Sequence, residues 1–348
     1  MSGQTGLLRN ILPQDATAAE QCRLLGENTG NLAFWDSIER LFAPKIVPYS
    51  AEAIGGCGRV IVTDLIWIRQ GACYPHLEKL VDACPIPFIP VSVGLQSGDF
   101  DPHFKLSPET VRLLKKMEER ALLGVRGYYS ADILERHGIR NTAVIGCPSM
   151  YRWKNAALKI SAADGCKKAC ANFRTFYGRL SAPEKHFLRY CADRGMRFIE
   201  QTARKFLPEH AQDTAFYNYV AGWLYREAAM PLGIREWFSA LDGCSFSMGG
   251  RFHGNVIALW KGIGALFLTV DSRTRELTDF FSLPSMSLSA FDPALELTAY
   301  CGLADYTAFN SRYPALYRGF KEFALKNGLA FSDAPALSYG ETGIGIGK

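Results

Sequence analysis

The residues best placed to do chemistry stand where an apolar run meets two glycines, in Ser247-Met-Gly-Gly-Arg-Phe-His-Gly254. The pattern reads as a strand, a tight turn and a helix. Gly249 and Gly250 let the backbone come close to a ligand. The helix start offers unpaired N–H groups and positive potential, which suit an anion. Arg251 adds a two-pronged donor for carboxylate or phosphate. Phe252 follows it, and His253 is a side chain that can give or take a proton near neutral pH. The competing reading is a plain turn with a surface arginine and a capping histidine.

Three more junctions have the same form. Thr269–Leu277 follows the next apolar run and opens the next helix. In an open α/β sheet this loop lies beside the first, so Asp271, Arg273 and Arg275 are candidates for the same pocket. Arg273 and Glu276, taken singly, read as ordinary charges of a helix start. In Gly124–Asp132, Arg126 leaves a strand end and Ser130 has the character of a helix N-cap. Arg126 either faces an anion across a cleft or pairs with Asp132 or Glu135. In Gly26–Leu32 the polar turn of Glu27, Asn28, Thr29, Gly30 and Asn31 has groups to hydrogen-bond hydroxyls. It is neither a Walker loop nor a GxGxxG dinucleotide loop. Asp64 and Trp67 sit late in an apolar strand. Asp64 reads as a base, a sugar ligand or a buried paired acid, and Trp67 as a stacking surface. Cys147 ends a further strand and is placed to line a cleft.

These junctions need a scaffold that alternates strands with helices. Residues 45 to 150 supply it. Val60–Ile68, Phe88–Leu95, Leu122–Arg126 and Thr142–Ile145 read as strands. Pro75–Ala83 and Ser130–His137 read as helices. A further helix opens at Ser107-Pro108, with Ser107 as N-cap and Pro108 at the first helical position. The second half repeats the order. Arg197–Gln201, Cys244–Met248 and Ala265–Val270 read as strands, and Pro183–Arg194, Thr214–Ala229, Arg235–Leu241, His253–Trp260 and Ser311–Lys326 as helices. Apolar strands between helices mean parallel sheets covered on both faces. The expected division is 1–160 as an N-terminal Rossmann-like domain and 161–330 as a C-terminal one. Lys154–Gly165 reads as a linker and 331–348 as a tail.

With 348 residues, two domains are the first expectation. Charged residues make up 21% and hydrophobic residues 48%, which excludes a disordered or fibrous chain. Lys and Arg total 39 and Asp and Glu 34, a net charge of only +5. That mild excess lacks the dense basic patch and aromatic platforms of a nucleic-acid binder. It allows a local cationic site for a small anion. No secretory signal and no apolar run long enough for a membrane span is read, so a soluble cytoplasmic protein is expected, able to work at the inner membrane face. The 10 cysteines are irregularly spaced and read as small buried thiols. No ligand spacing implies a metal, and no cofactor is expected.

Taken together, GENTGNLAF, VSVGLQS, GVRGYYSADILERHGI, GCPSM and GGRFHGNVIALWKGIGALFLTVDSRTRELTDFF resemble the polysaccharide pyruvyl transferase family. The resemblance runs from about Gly26 to Pro284. It implies two Rossmann-like halves facing a central cleft, the GT-B-like architecture, with 1–160 on the acceptor side and 161–330 on the phosphoenolpyruvate side. It also implies transfer of the enolpyruvyl unit of phosphoenolpyruvate onto a sugar of a surface polysaccharide or exopolysaccharide, or of its lipid-linked precursor, as a ketal. The Arg-x-His of the family falls on Arg251 and His253, and its arginine ahead of the helix serine on Arg126. The opening loop departs from the Asp-rich form of many relatives. Two other readings remain: a GT-B glycosyltransferase using a nucleotide-sugar, and a catalytically inactive glycan-binding subunit.

Overall fold

The structure, a computed structural model, describes residues 3–162, 165–175, 180–202 and 214–343. His210, parts of the 154–165 segment and the last five residues lie outside these. Two parallel sheets organise the chain. The first has four strands in the order Lys45–Val47, Thr5–Leu8, Arg59–Val62, Phe88–Pro90. The second has six, in the order Ala228–Ala229, Arg197–Ile199, Ala169–Asn172, Phe246–Gly249, Gly264–Thr269, Ser285–Ser287. All pairings within both sheets are parallel. A parallel pair needs a crossover, and helices supply it. Ser107 Oγ accepts the Thr110 N–H at 3.1 Å to start Pro108–Glu118, the cap its sequence implies.

In each sheet one of the two central strands is not announced by the sequence pattern. Thr5–Leu8 pairs on both sides, as does Ala169–Asn172. Each is four residues long. Ala-Cys-Ala-Asn has little β preference of its own, and burial between neighbours decides its conformation. The apolar run at Val60–Ile68 is also shorter as a strand than it reads. It ends at Val62, and Asp64 lies in the turn that follows.

The halves share one large core, in which Trp153, Trp223, Trp237 and Trp260 are fully buried. The final helix, Thr307–Lys326, packs back on the first half. Phe320 stacks on Tyr151 at 4.2 Å between ring centres, and Asn327 Nδ2 donates to the Leu122 carbonyl. Residues after it continue across that half. The Ser332 N–H donates to Leu41, the Leu337 N–H to Trp153, and Arg152 to the Thr342 carbonyl.

The cysteines need correction. Cys166 and Cys301 form a disulfide, with Cα atoms 6.3 Å apart across a sequence separation of 135. Only the folded chain brings them together, so spacing could not show it. Cys73 is exposed in the irregular segment before Pro75–Ala83. Cys22, Cys57, Cys84, Cys147, Cys170 and Cys191 are buried thiols. Among the described residues no helix is long and apolar enough to cross a membrane.

Candidate active site

The Gly249–Arg251 turn is held by a buried amide network. Asn172 Nδ2 donates to Asn255 Oδ1 at 2.7 Å, and Ser247 Oγ donates to the same oxygen at 2.8 Å. Asn255 Nδ2 donates to the Gly249 carbonyl, and Asn172 Oδ1 accepts the Arg251 N–H at 3.0 Å. A Cβ on Gly249 would lie 1.8 Å from the Asn172 carbonyl oxygen, so only glycine fits there. Gly250 passes close against Phe173. The turn delivers Arg251 to the N-cap of Phe252–Trp260. Phe252 itself points into the core beside Phe267.

His253 is the second residue of that helix and is mostly enclosed. Phe34 from the first half meets its ring edge-on at 4.5 Å. Cys147 Sγ lies 3.5 Å from its Nε2. Burial, with the Arg126 and Arg273 charges, pushes the imidazole down to about 3, so without a ligand it is neutral at physiological pH. Arg126 is buried, and burial lowers its guanidinium from the ordinary value. A Cβ on Gly94 would fall 2.9 Å from Arg126 Nε, so that glycine makes room for the side chain. Burial also takes Arg251 down to about 10, with Glu200 and Asp271 opposing the shift and Arg273 and Arg174 adding to it. The charges of Arg126 from the first half and Arg273 from the second therefore both bear on His253, and that of Arg273 bears on Arg251 as well.

Two sequence assignments change here. Arg273, read as an ordinary helix-start charge, belongs to the cluster. Its Nε and Nη2 donate to Asp271 Oδ2 at 2.9 and 2.6 Å, which fixes it there. Arg275 lies outside. It pairs with Asp99 at 2.8 Å and lies over the Phe100 ring, half-exposed. Helical geometry explains the exchange, since residues two apart point to different faces. Asp271 is the N-cap, its Oδ1 accepting the Thr274 N–H, and its carboxyl is held below the ordinary value against burial by Arg273.

Glu276 is the second surprise. Tyr128–Arg136 begins with Gly127 as N-cap, not Ser130. Ser130 is the third residue, and the cap comes from the other half. Glu276 Oε1 accepts the Ser130 N–H at 2.6 Å and Oε2 accepts its hydroxyl at 2.8 Å. A Cβ on Gly127 would lie 2.2 Å from Glu276 Cγ. Asp132 pairs with Arg136 and leaves Arg126 alone. Gly127→Ala is expected to cost about 1–3 kcal/mol from overpacking, read as a lower melting midpoint. Burial raises the Glu276 carboxyl above 4.5. The folded state then holds its proton more tightly than the unfolded state, so this carboxyl's contribution to stability falls as pH rises through the window just above 4.5. Glu276→Gln keeps an acceptor and a donor for Ser130 and should be at least as stable as the native chain at pH 8. Glu276→Ala should lose about 1–3 kcal/mol at any pH, because two Ser130 donors go unmet.

The opening loop reaches the site through its backbone. The Thr29 N–H donates to the Gln201 carbonyl at 2.8 Å, and Gly30 abuts the Gln201 side chain. Gln201 had no sequence signal beyond its place after an apolar run. The side chains expected to hold an acceptor are engaged locally. Asn28 Oδ1 accepts the Gly30 N–H, and Asn31 Nδ2 donates to Leu25. Glu27 is exposed with φ of 56°. Asp64 is paired, its Oδ1 accepting from Tyr49 at 2.7 Å. Among the described residues no group of three or more His, Cys, Asp or Glu side chains is placed to hold a metal ion.

Two Rossmann-like halves with parallel sheets, meeting at loops that follow their strands, define a GT-B-like protein. Residues 28–272 match the family described as polysaccharide pyruvyl transferase. The chain belongs to this family, whose description is that of a transferase of polysaccharide biosynthesis. None of the curated proteins matches it. Among solved structures, Staphylococcus aureus MnaA in its co-structure with UDP is similar at 10% identity and a TM-score of 0.48, over 94% of this chain and 98% of that one. The UDP-GlcNAc 2-epimerase of Neisseria meningitidis bound to UDP-GlcNAc shows 11% identity and a TM-score of 0.44, over 91% and 84%.

Proposed function

We propose that the protein transfers the enolpyruvyl group of phosphoenolpyruvate to a sugar as a cyclic ketal and releases phosphate. The observation that carries this reading is the pair Arg126 and Arg273 bearing on the buried His253, with Arg251, itself close to Arg273, capping the helix that holds the histidine. Phosphoenolpyruvate has a carboxylate and a phosphate, so its site needs clustered guanidiniums in a dry setting. The helix start at Phe252 adds backbone donors.

In this reading the three arginines hold the two anionic groups. His253 gives a proton to the enol methylene, which leaves C2 electrophilic. One sugar hydroxyl adds to C2, its proton passing to a loop carboxylate or to the phosphate. A second hydroxyl of the same sugar then displaces phosphate, its proton leaving with the phosphate. The acid must be charged before it can act. An imidazole held down to about 3 by burial and two arginines gains its proton only when substrate anions neutralise those arginines. Substrate binding thereby arms the acid.

The sugar is taken from a surface polysaccharide, an exopolysaccharide or a lipid-linked precursor, with the protein in the cytoplasm or at the inner membrane face. The experiment is incubation with phosphoenolpyruvate and candidate glycans. Expected are phosphate release and a mass gain equal to a pyruvate ketal. Thermal protection by a UDP-, GDP- or CMP-sugar, and none by phosphoenolpyruvate, would favour a glycosyltransferase.

A further inference from the structure

Beside the arginine cluster a cavity of about 400 Å³ opens along the seam between the halves. Asp99 of the first half faces Asp271, Arg275, Asp279, Ser285 and Ser287 of the second. We propose that this seam pocket is the acceptor subsite, taking a neutral sugar diol. The inference rests on the pyruvyl-transfer reading and locates its second substrate.

Charge sorts the two substrates. Arg126, Arg251 and Arg273 do not line the pocket, whose walls carry the carboxylates of Asp99, Asp271 and Asp279. The guanidinium that lines the pocket, Arg275, is already paired with Asp99 at 2.8 Å and lies 3.8 Å from Asp279. A dianion is repelled there. A polyol is not, because each hydroxyl can donate to a carboxylate and accept from a serine. Exposed Val270 offers an apolar surface to the C–H face of a sugar.

Position argues the same way. The pocket lies at the carboxyl ends of the adjacent parallel strands Gly264–Thr269 and Ser285–Ser287, where open α/β sheets bind ligands. Its volume falls in the range of roughly 300–1,000 Å³ usual for small-molecule sites. Asp271 is a shared wall: it lines the pocket while its Oδ2 accepts from Arg273 of the cluster. An acceptor seated here is next to the donor. The opening loop is the less suitable place, since its Asn28 and Asn31 side chains are engaged locally.

The test uses the full chain and two substitutions at exposed positions, Ser285→Trp to fill the pocket and Asp279→Asn to remove a charge. Phosphate release is followed at saturating phosphoenolpyruvate with methyl glycosides of mannose, galactose and glucose. The expected result is an acceptor KM raised tenfold or more by Ser285→Trp and threefold or more by Asp279→Asn, with thermal protection by phosphoenolpyruvate as in the native chain. Native acceptor KM in both variants overturns the proposal. If the native protein releases no phosphate, the pyruvyl-transfer reading fails, and the pocket is judged by saturation-transfer NMR with the same glycosides. A signal lost in Ser285→Trp upholds the pocket. A signal retained, or absent from the native chain, overturns it.

Discussion

Replacing His253 by Gln should lower kcat by about 10²–10⁴-fold, the usual worth of a positioned general acid. Glutamine keeps the shape and a hydrogen-bonding end but carries no transferable proton. Phosphoenolpyruvate should still protect the variant from heat, because Arg126, Arg251 and Arg273 remain. Proton uptake gives a sharper readout. The unliganded imidazole is held down to about 3, so it enters the complex neutral and must gain a proton there. On binding phosphoenolpyruvate at pH 7 the native protein should take up more protons than His253→Gln. Calorimetry in buffers of different ionisation enthalpy measures this difference. For the same reason, native affinity relative to the variant should rise as pH falls from 8 to 6. Native turnover by the variant would sink the assignment.

Arg126→Met should separate stability from binding. The Arg126 guanidinium is buried near Arg273, and its Nε reaches Ser92 Oγ only at 3.4 Å. Such a charge is costly to bury without its anion. The unliganded variant should therefore melt at the native midpoint or above it. Its protection by phosphoenolpyruvate should vanish. Losing one partner of a buried charge pair costs about 2–5 kcal/mol, or about 30- to 4,000-fold in affinity at tenfold per 1.4 kcal/mol. Undiminished protection would remove Arg126 from the donor site.

The sequence pattern carries the architecture well where strands are long and apolar. Phe246–Gly249 and Gly264–Thr269, with the helices after them, stand close to their pattern-based limits. The turn between strand and helix was legible as well, because adjacent glycines between an apolar run and a helical period mark a tight bend of the backbone. Thr5–Leu8 and Ala169–Asn172 were not, since a four-residue strand shows too little periodicity to register. In the candidate site, the junctions offered Arg126, Arg251 and His253, each beside a plain structural alternative. Arg273 and Arg275 could not be told apart, because the choice depends on how the helix is rotated. Only the Asp271 carboxylate, bonding back to Arg273, decides it. Glu276 was invisible for a different reason. Its partner, Ser130, lies 146 residues away in the other half, and no local pattern encodes that distance.

The Glu276–Ser130 contact has an evolutionary corollary. Two halves of similar build invite recombination, in which the first half of one relative is joined to the second half of another. Here the joint is not neutral ground. Gly127 leaves the space, Ser130 presents two donors and Glu276 fills both roles from across the seam. A chimaera inheriting Glu276 without Gly127 meets a clash. One inheriting Ser130 without Glu276 has a helix whose first turn lacks its cap. The three positions should covary among relatives as one set, and lobe exchange should succeed only between sequences that agree on it.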